Sequence, residues 1–97
     1  MEKIFVVYIM ANIKYGTLYI GVTSHLLKRI WEHRNHVVEG FTQRYNLDQL
    51  VYYEVHESAE FAIKREKRLK SWPRQWKLEL IDTFNPEWKD LYESVAA

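Results

Sequence analysis

The chain contains no cysteine, which excludes a disulfide scaffold and leaves any metal site to nitrogen and oxygen ligands. Glycine and proline are scarce, three and two among 97 residues, and no Pro/Gly/Ser-rich linker, repeat or low-complexity tract divides the sequence. The longest apolar run, Ile4 to Ala11, has eight residues, far short of the ~18 that span a bilayer. That run lies too near the start, and lacks the small-residue cleavage site, to read as a signal peptide. What is present is 47% hydrophobic and 15% aromatic residues, with four Trp, seven Tyr and four Phe. Such a composition excludes disorder of the whole chain. The expectation is one cytoplasmic domain over 1–97, with no membrane partner and no small-molecule cofactor, burying roughly 60–65% of its unfolded surface.

Net charge is +1, but the charges are unevenly spread. Lys64, Arg65, Lys67, Arg68, Lys70, Arg74 and Lys77 surround a single acid, Glu66, whereas Leu78 to Ala97 holds five acids against Lys89. The near-neutral total hides a basic patch that suits phosphates, or else an ordinary solvated helix face.

Ile4 to Met10 reads as a strand rich in β-branched and aromatic residues, Ala11 to Gly16 as a loop, and Thr17 to Thr23 as a second strand. Thr23 or Ser24 caps a helix running to about Val38, with Gly40 just beyond. Phe41 to Gln49 is a polar–aromatic loop and Leu50 to Val55 a third strand. Ser58 caps a helix from Ala59 to about Trp72, which Pro73 stops or redirects. A short helix follows to about Phe84, and Asn85-Pro86 opens a last one. The order β-β-α-β-α-α-α implies an α+β fold, a small three-stranded mixed or antiparallel sheet flanked by helices.

Pairing Met10 with Thr17 places Tyr8 opposite Tyr19 and Val6 opposite Gly21. Phe5, Val7, Ile9, Leu18, Ile20 and Val22 then share one apolar face. Tyr8, Tyr19 and Gly21 share the other, as an open, partly polar patch or as ordinary cross-strand aromatic packing. On the first helix Leu26, Leu27, Ile30, Trp31, Val37 and Val38 make the inward stripe, while His25, Arg29, His33 and His36 line an adjacent edge. Those histidines lack the cysteines or the HExxH motif of a zinc site. On the second helix Ala59, Ala62, Ile63 and Leu69 point inward and Glu66 falls among them. A carboxylate so placed takes an internal ion-pair partner or a metal.

Tyr8, the intact Tyr19-Ile20-Gly21, Arg29 ten residues after Tyr19, His33 four further, and Glu66 within Ala62–Lys70 together resemble the GIY-YIG nuclease superfamily. The likeness is specifically to its small single-domain bacterial endonucleases, and the pattern is similar to the N-terminal nuclease domain of an excinuclease. Phe41-Thr42-Gln43-Arg44-Tyr45, Leu50-Val51-Tyr52-Tyr53-Glu54 and Asn85-Pro86-Glu87-Trp88 add to the likeness. The first motif departs from it, reading Val6-Val7-Tyr8, so only its tyrosine is kept. The resemblance implies hydrolysis of DNA phosphodiesters assisted by one Mg²⁺, with Mn²⁺ as a substitute, in DNA repair or recombination and with a preference for DNA structure. It makes Glu66 the single protein ligand of the metal and Arg29 the group that binds the scissile phosphate. Tyr19 orients or deprotonates water with its phenol pKa lowered, Tyr8 hydrogen-bonds in the same cluster, and His33 shares proton transfer. Gly21 allows close approach, and Arg44, Tyr45 and Asn85 are secondary candidates. Lys64, Arg65, Lys67, Arg68, Lys70 and Arg74 would hold the DNA backbone. A non-cleaving or partner-dependent nucleic-acid recruitment module of the same fold is the alternative. An interaction domain built on Trp72, Trp76 and Trp88 is a third reading. Whether a repair protein or a second copy joins the chain stays open.

Overall fold

The computed structural model describes residues 4–35 and 46–96. Its elements are β1 (Phe5–Ala11), β2 (Leu18–Thr23), α1 (Leu26–Arg34), β3 (Gln49–His56), α2 (Ala59–Ser71), α3 (Arg74–Phe84) and α4 (Tyr92–Ala96). The sheet has the order β2-β1-β3 and is antiparallel throughout. Among the described residues no helix is long and apolar enough to cross a membrane.

β1 is apolar or aromatic at every position because it is the central strand and helices cover both faces of it. On one face α2 and α3 pack Ala62, Leu69 and Ile81 against Val7, Ile9, Ala11 and Ile20. On the other, Leu26 and Ile30 of α1 meet Val6, Tyr8 and Met10, with α4 at the margin. The patch around Tyr8 is therefore not open: its ring is 1% exposed.

The β1–β2 register lies two residues from the expected one, with Met10 opposite Tyr19 and Tyr8 opposite Gly21. The connecting loop explains the shift. Asn12 Oδ1 accepts the backbone N–H of Ile13 and of Thr17, so Thr17 leaves the ladder and pairing begins at Ala11 and Leu18. A shift of two keeps the parity of the side chains, and both face assignments survive. Between β1 and β3 the register slips at Ile9/Met10, where one extra residue in β3 turns both Val51 and Tyr52 toward α2 and α3.

The helices differ in detail from expectation. α1 begins after His25, whose N–H is accepted by Thr23 Oγ1. Its buried stripe is Leu26, Ile30 and His33, spaced i, i+4, i+7, so Leu27 and Trp31 turn outward and His33 turns in. Described α1 stops at Arg34, and the expected continuation over 36–38 lies outside the described residues. Ile63 of α2 is exposed rather than inward. Asn85-Pro86 opens no helix: the Asn85 amide donates to Val51 and Lys89 carbonyls and accepts the Lys89 N–H, holding a turn instead. The chain after it runs along part of β3, where Leu91 N–H donates to Leu50 O and Leu50 N–H to Asp90 Oδ1.

Candidate functional site

Tyr8 sits near the middle of β1 with its ring laid over Gly21. A Cβ at Gly21 would stand 2.6 Å from Tyr8 Oη, 2.7 Å from Tyr8 Cζ and 3.0 Å from Tyr19 Cε1, so only glycine leaves room for both rings. α1 then lowers His33 onto the pair: Tyr8 Oη lies 3.0 Å from His33 Nε2. The three rings close on one another, with centroids 6.2 Å apart for Tyr8–Tyr19, 5.8 Å for Tyr8–His33 and 5.3 Å for Tyr19–His33. Arg29, one turn before His33, is half-exposed and pairs loosely with Glu32, at 3.8 Å.

The electrostatics separate the roles. Burial and the neighbouring Tyr19 raise the Tyr8 phenol pKa, and the Arg29 guanidinium only partly opposes them, so Tyr8 stays a neutral phenol. Burial and the Arg29 charge lower the His33 pKa against a weaker pull from Glu32. A neutral imidazole accepting the Tyr8 proton at Nε2 is the arrangement that fits both shifts.

Glu66 rides on α2, against the other face of the sheet. Its side chain is only 15% exposed and pairs with the solvated Lys70 at 3.3 Å. Arg65, the preceding residue, reaches Glu54 on edge strand β3, so a step of one position along α2 turns Glu66 toward the flank nearer β2. β2 is thus the strand between them, with Tyr19 and Gly21 on it and α2 packed behind. No three His, Asp or Glu side chains gather as a metal cage among the described residues. The donor chemistry that fits a divalent ion is a sheltered single carboxylate whose exposed lysine partner an ion can displace, with water completing the shell.

The basic residues do not act as one surface. Arg65 is turned in toward Glu54 and over the Trp72 ring. Arg74 donates to the carbonyls of Tyr15 and Gly16, tying the β1–β2 loop to α3. Lys64 pairs with Glu60 and Lys70 with Glu66. Lys67 and Arg68 project into solvent. Arg44 and Tyr45 lie outside the described residues, and the Asn85 side chain is committed to its turn.

One cluster escaped the sequence reading. Glu54 Oε1 accepts the Tyr52 hydroxyl at 2.6 Å, Oε2 lies 2.6 Å from His56 Nε2, and Arg65 Nε donates to both oxygens at 3.1–3.2 Å. Burial alone would raise the Glu54 pKa, but the bonds from Tyr52, His56 and Arg65, with the Arg65 charge, hold it below its ordinary value. The signal was there in the sequence: Tyr52, Glu54 and His56 alternate along one strand face.

Residues 4–79 match the family model of the GIY-YIG catalytic domain. A UPF0213 protein of Staphylococcus saprophyticus is 40% identical over 68 residues, covering 70% of this chain and 83% of the relative. A UPF0213 protein of Staphylococcus epidermidis is 33% identical over 81 residues, covering 84% and 96%. Another, of Staphylococcus aureus, is 35% identical over 66 residues, covering 68% and 80%. No solved structure matches the chain significantly. With the family match spanning residues 4–79, most of the sequence, the chain belongs to the GIY-YIG catalytic domain family, a family of nucleases.

Proposed function

We propose that this protein is a divalent-metal-dependent DNA endonuclease that prefers particular DNA structures, in the service of repair or recombination. The observation that carries the reading is the packed Tyr8–Tyr19–His33 cluster over Gly21, with Arg29 beside it. Structural packing alone does not call for a neutral histidine bonded to a buried phenol next to a loosely held arginine.

In this reading Arg29 exchanges its weak contact with Glu32 for the scissile phosphate, a planar cation against a planar pair of oxygens. Tyr19, half-buried at the margin of the cluster, orients the attacking water. Tyr8 fixes the His33 ring, and because its hydroxyl occupies Nε2 the proton of that water reaches His33 by relay, Tyr8 taking it while passing its own proton to Nε2. Water adds to phosphorus, the bond to one sugar oxygen breaks, and that oxygen leaves as the alcohol. Glu66 would hold Mg²⁺ or Mn²⁺, which when bound supplies positive charge to the phosphate oxygens.

The test is cleavage of single-stranded, duplex, nicked, flap and branched DNA with Mg²⁺, Mn²⁺ or EDTA, comparing wild type with Glu66→Ala and Arg29→Ala. Metal-dependent cutting that both variants lose while folded and still binding DNA is expected. Binding without cutting by the wild type would move the assignment to a recruitment module. Cutting that persists in both variants would refute these site roles.

A further inference from the structure

A groove of about 400 Å³ lies on the flank of α2 away from Glu66, lined by His56, Phe61, Lys64, Arg65 and Arg68. Four of these five side chains are, or become on protonation, cationic, and the fifth is an aromatic ring left 65% exposed. Phe61, Lys64, Arg65 and Arg68 recur at i, i+3, i+4 and i+7, so they form one row along the helix. An exposed Phe in that setting has no packing role to explain it. Arg65 and His56 are braced by Glu54, which fixes the floor of the groove. At the rim Lys64, among the described residues, pairs through an exposed i+4 contact with Glu60, which a phosphate can displace, and the Arg68 side chain points into solvent.

We propose that this groove is an accessory site for single-stranded nucleic acid, in which one unpaired base stacks on Phe61 while neighbouring phosphates meet Arg68 and Lys64. The chemistry is that of sequence-tolerant strand binding: an aromatic face for the base, with cations spaced to follow the backbone. An acidic peptide would use the cations and leave the ring idle. Duplex DNA, its bases already stacked, would do the same. The proposal rests on nucleic acid being the substrate of the Tyr8–Tyr19–Arg29 site and adds that an unpaired stretch is gripped on the opposite flank of α2.

The decisive measurement is fluorescence anisotropy with a fluorescent 12-mer of thymidine and a 12-mer of abasic sugar–phosphate carrying equal charge, run without metal. Wild type is expected to prefer thymidine by about 5- to 150-fold, the range of one base–aromatic stack. Phe61→Ala, at a solvent-facing position and checked for folding by circular dichroism, should bind both oligomers alike, and Phe61→Trp should restore the preference. Arg68→Ala should weaken both and lower the salt slope of log affinity by about 0.7. Equal binding of the two oligomers by wild type, or an undiminished preference in Phe61→Ala, would overturn the proposal, as would tighter binding of poly-glutamate than of thymidine. Loss of the endonuclease reading would show separately, as absence of cleavage in preparations whose Phe61-dependent binding persists.

Discussion

Two clusters of tyrosine and histidine flank the sheet and are built to opposite rules. On the α1 face, Tyr8 and His33 meet as neutral partners beside an arginine whose acidic neighbour, Glu32, stands 3.8 Å away. On the α2 face, Tyr52, His56 and Arg65 converge on the Glu54 carboxylate, and each of its oxygens has more than one partner. The second cluster is saturated and suits a scaffold. In the first, Arg29 meets the neutral Tyr8 hydroxyl and, among the described residues, no carboxylate nearer than Glu32 at 3.8 Å, a setting in which a phosphate can compete for the guanidinium. Residue type alone would not separate them; the presence of the carboxylate does.

The largest effect should come from filling the gap under Tyr8. In Gly21→Val the new side chain starts 2.6 Å from Tyr8 Oη and 3.0 Å from Tyr19 Cε1, so two rings must give way, and the cost should exceed the roughly 1–3 kcal/mol of ordinary overpacking. Thermal unfolding should move down, and any cleavage should vanish with it, while the His56 ring resonance, reporting the Glu54 cluster, stays put. An unchanged melting temperature would mean that Tyr8 is free to move aside, breaking the contrast between a packed site and a packed scaffold.

Removing one hydroxyl from each side sharpens the comparison. Tyr52 donates to an ionised carboxylate and Tyr8 to a neutral imidazole, so Tyr52→Phe should cost about 1.5–3 kcal/mol and Tyr8→Phe about 0.5–1.5 kcal/mol. For catalysis the order reverses: Tyr8→Phe should depress cleavage and Tyr52→Phe should leave it near wild type. Equal losses of stability in urea titration would argue that the two hydroxyls sit in equivalent environments.

The alternation of the hairpin made its two faces legible in the sequence, and a register error of two residues did not disturb them because the pleat has period two. The register itself was hidden in the Asn12 side chain, which takes the Thr17 N–H out of the ladder. Tyr8, Tyr19, Gly21 and Arg29 could be marked as a set, but the burial of His33 could not. Trp31 looked like the better core residue, yet it is 52% exposed while His33, at 2%, turns inward in its place. The basic run Lys64–Lys77 misled in a different way. Counting charges gives a uniform patch, while tertiary contacts divert Arg65 to Glu54 and Arg74 to the β1–β2 loop. Asn85-Pro86 looked like a helix start because the pair is favoured there, and the carbonyl of Val51, distant in sequence, claims the amide instead.

The smallest effect is a titration that reads both clusters in one experiment. His33 has its pKa lowered in the fold, chiefly by burial, so the unfolded chain takes up its proton first as pH falls. The stability that neutral His33 supports is therefore complete above the ordinary histidine value of about 6.5 and drains away below it. Glu54 is also lowered, because the bonds from Tyr52, His56 and Arg65 outweigh burial. Its contribution is complete above the ordinary carboxylate value of about 4.3 and is lost as pH falls through the depressed one. Urea midpoints from pH 8 to pH 3 at constant ionic strength should thus fall in two windows. His33→Gln should flatten the fall in the upper window and leave the lower one, whereas Glu54→Gln should flatten the fall in the lower, any accompanying upper-window change tracing to His56, whose ring Glu54 holds. An upper window that survives in His33→Gln would assign it to another histidine, and the neutral Tyr8–His33 pair would lose its electrostatic support.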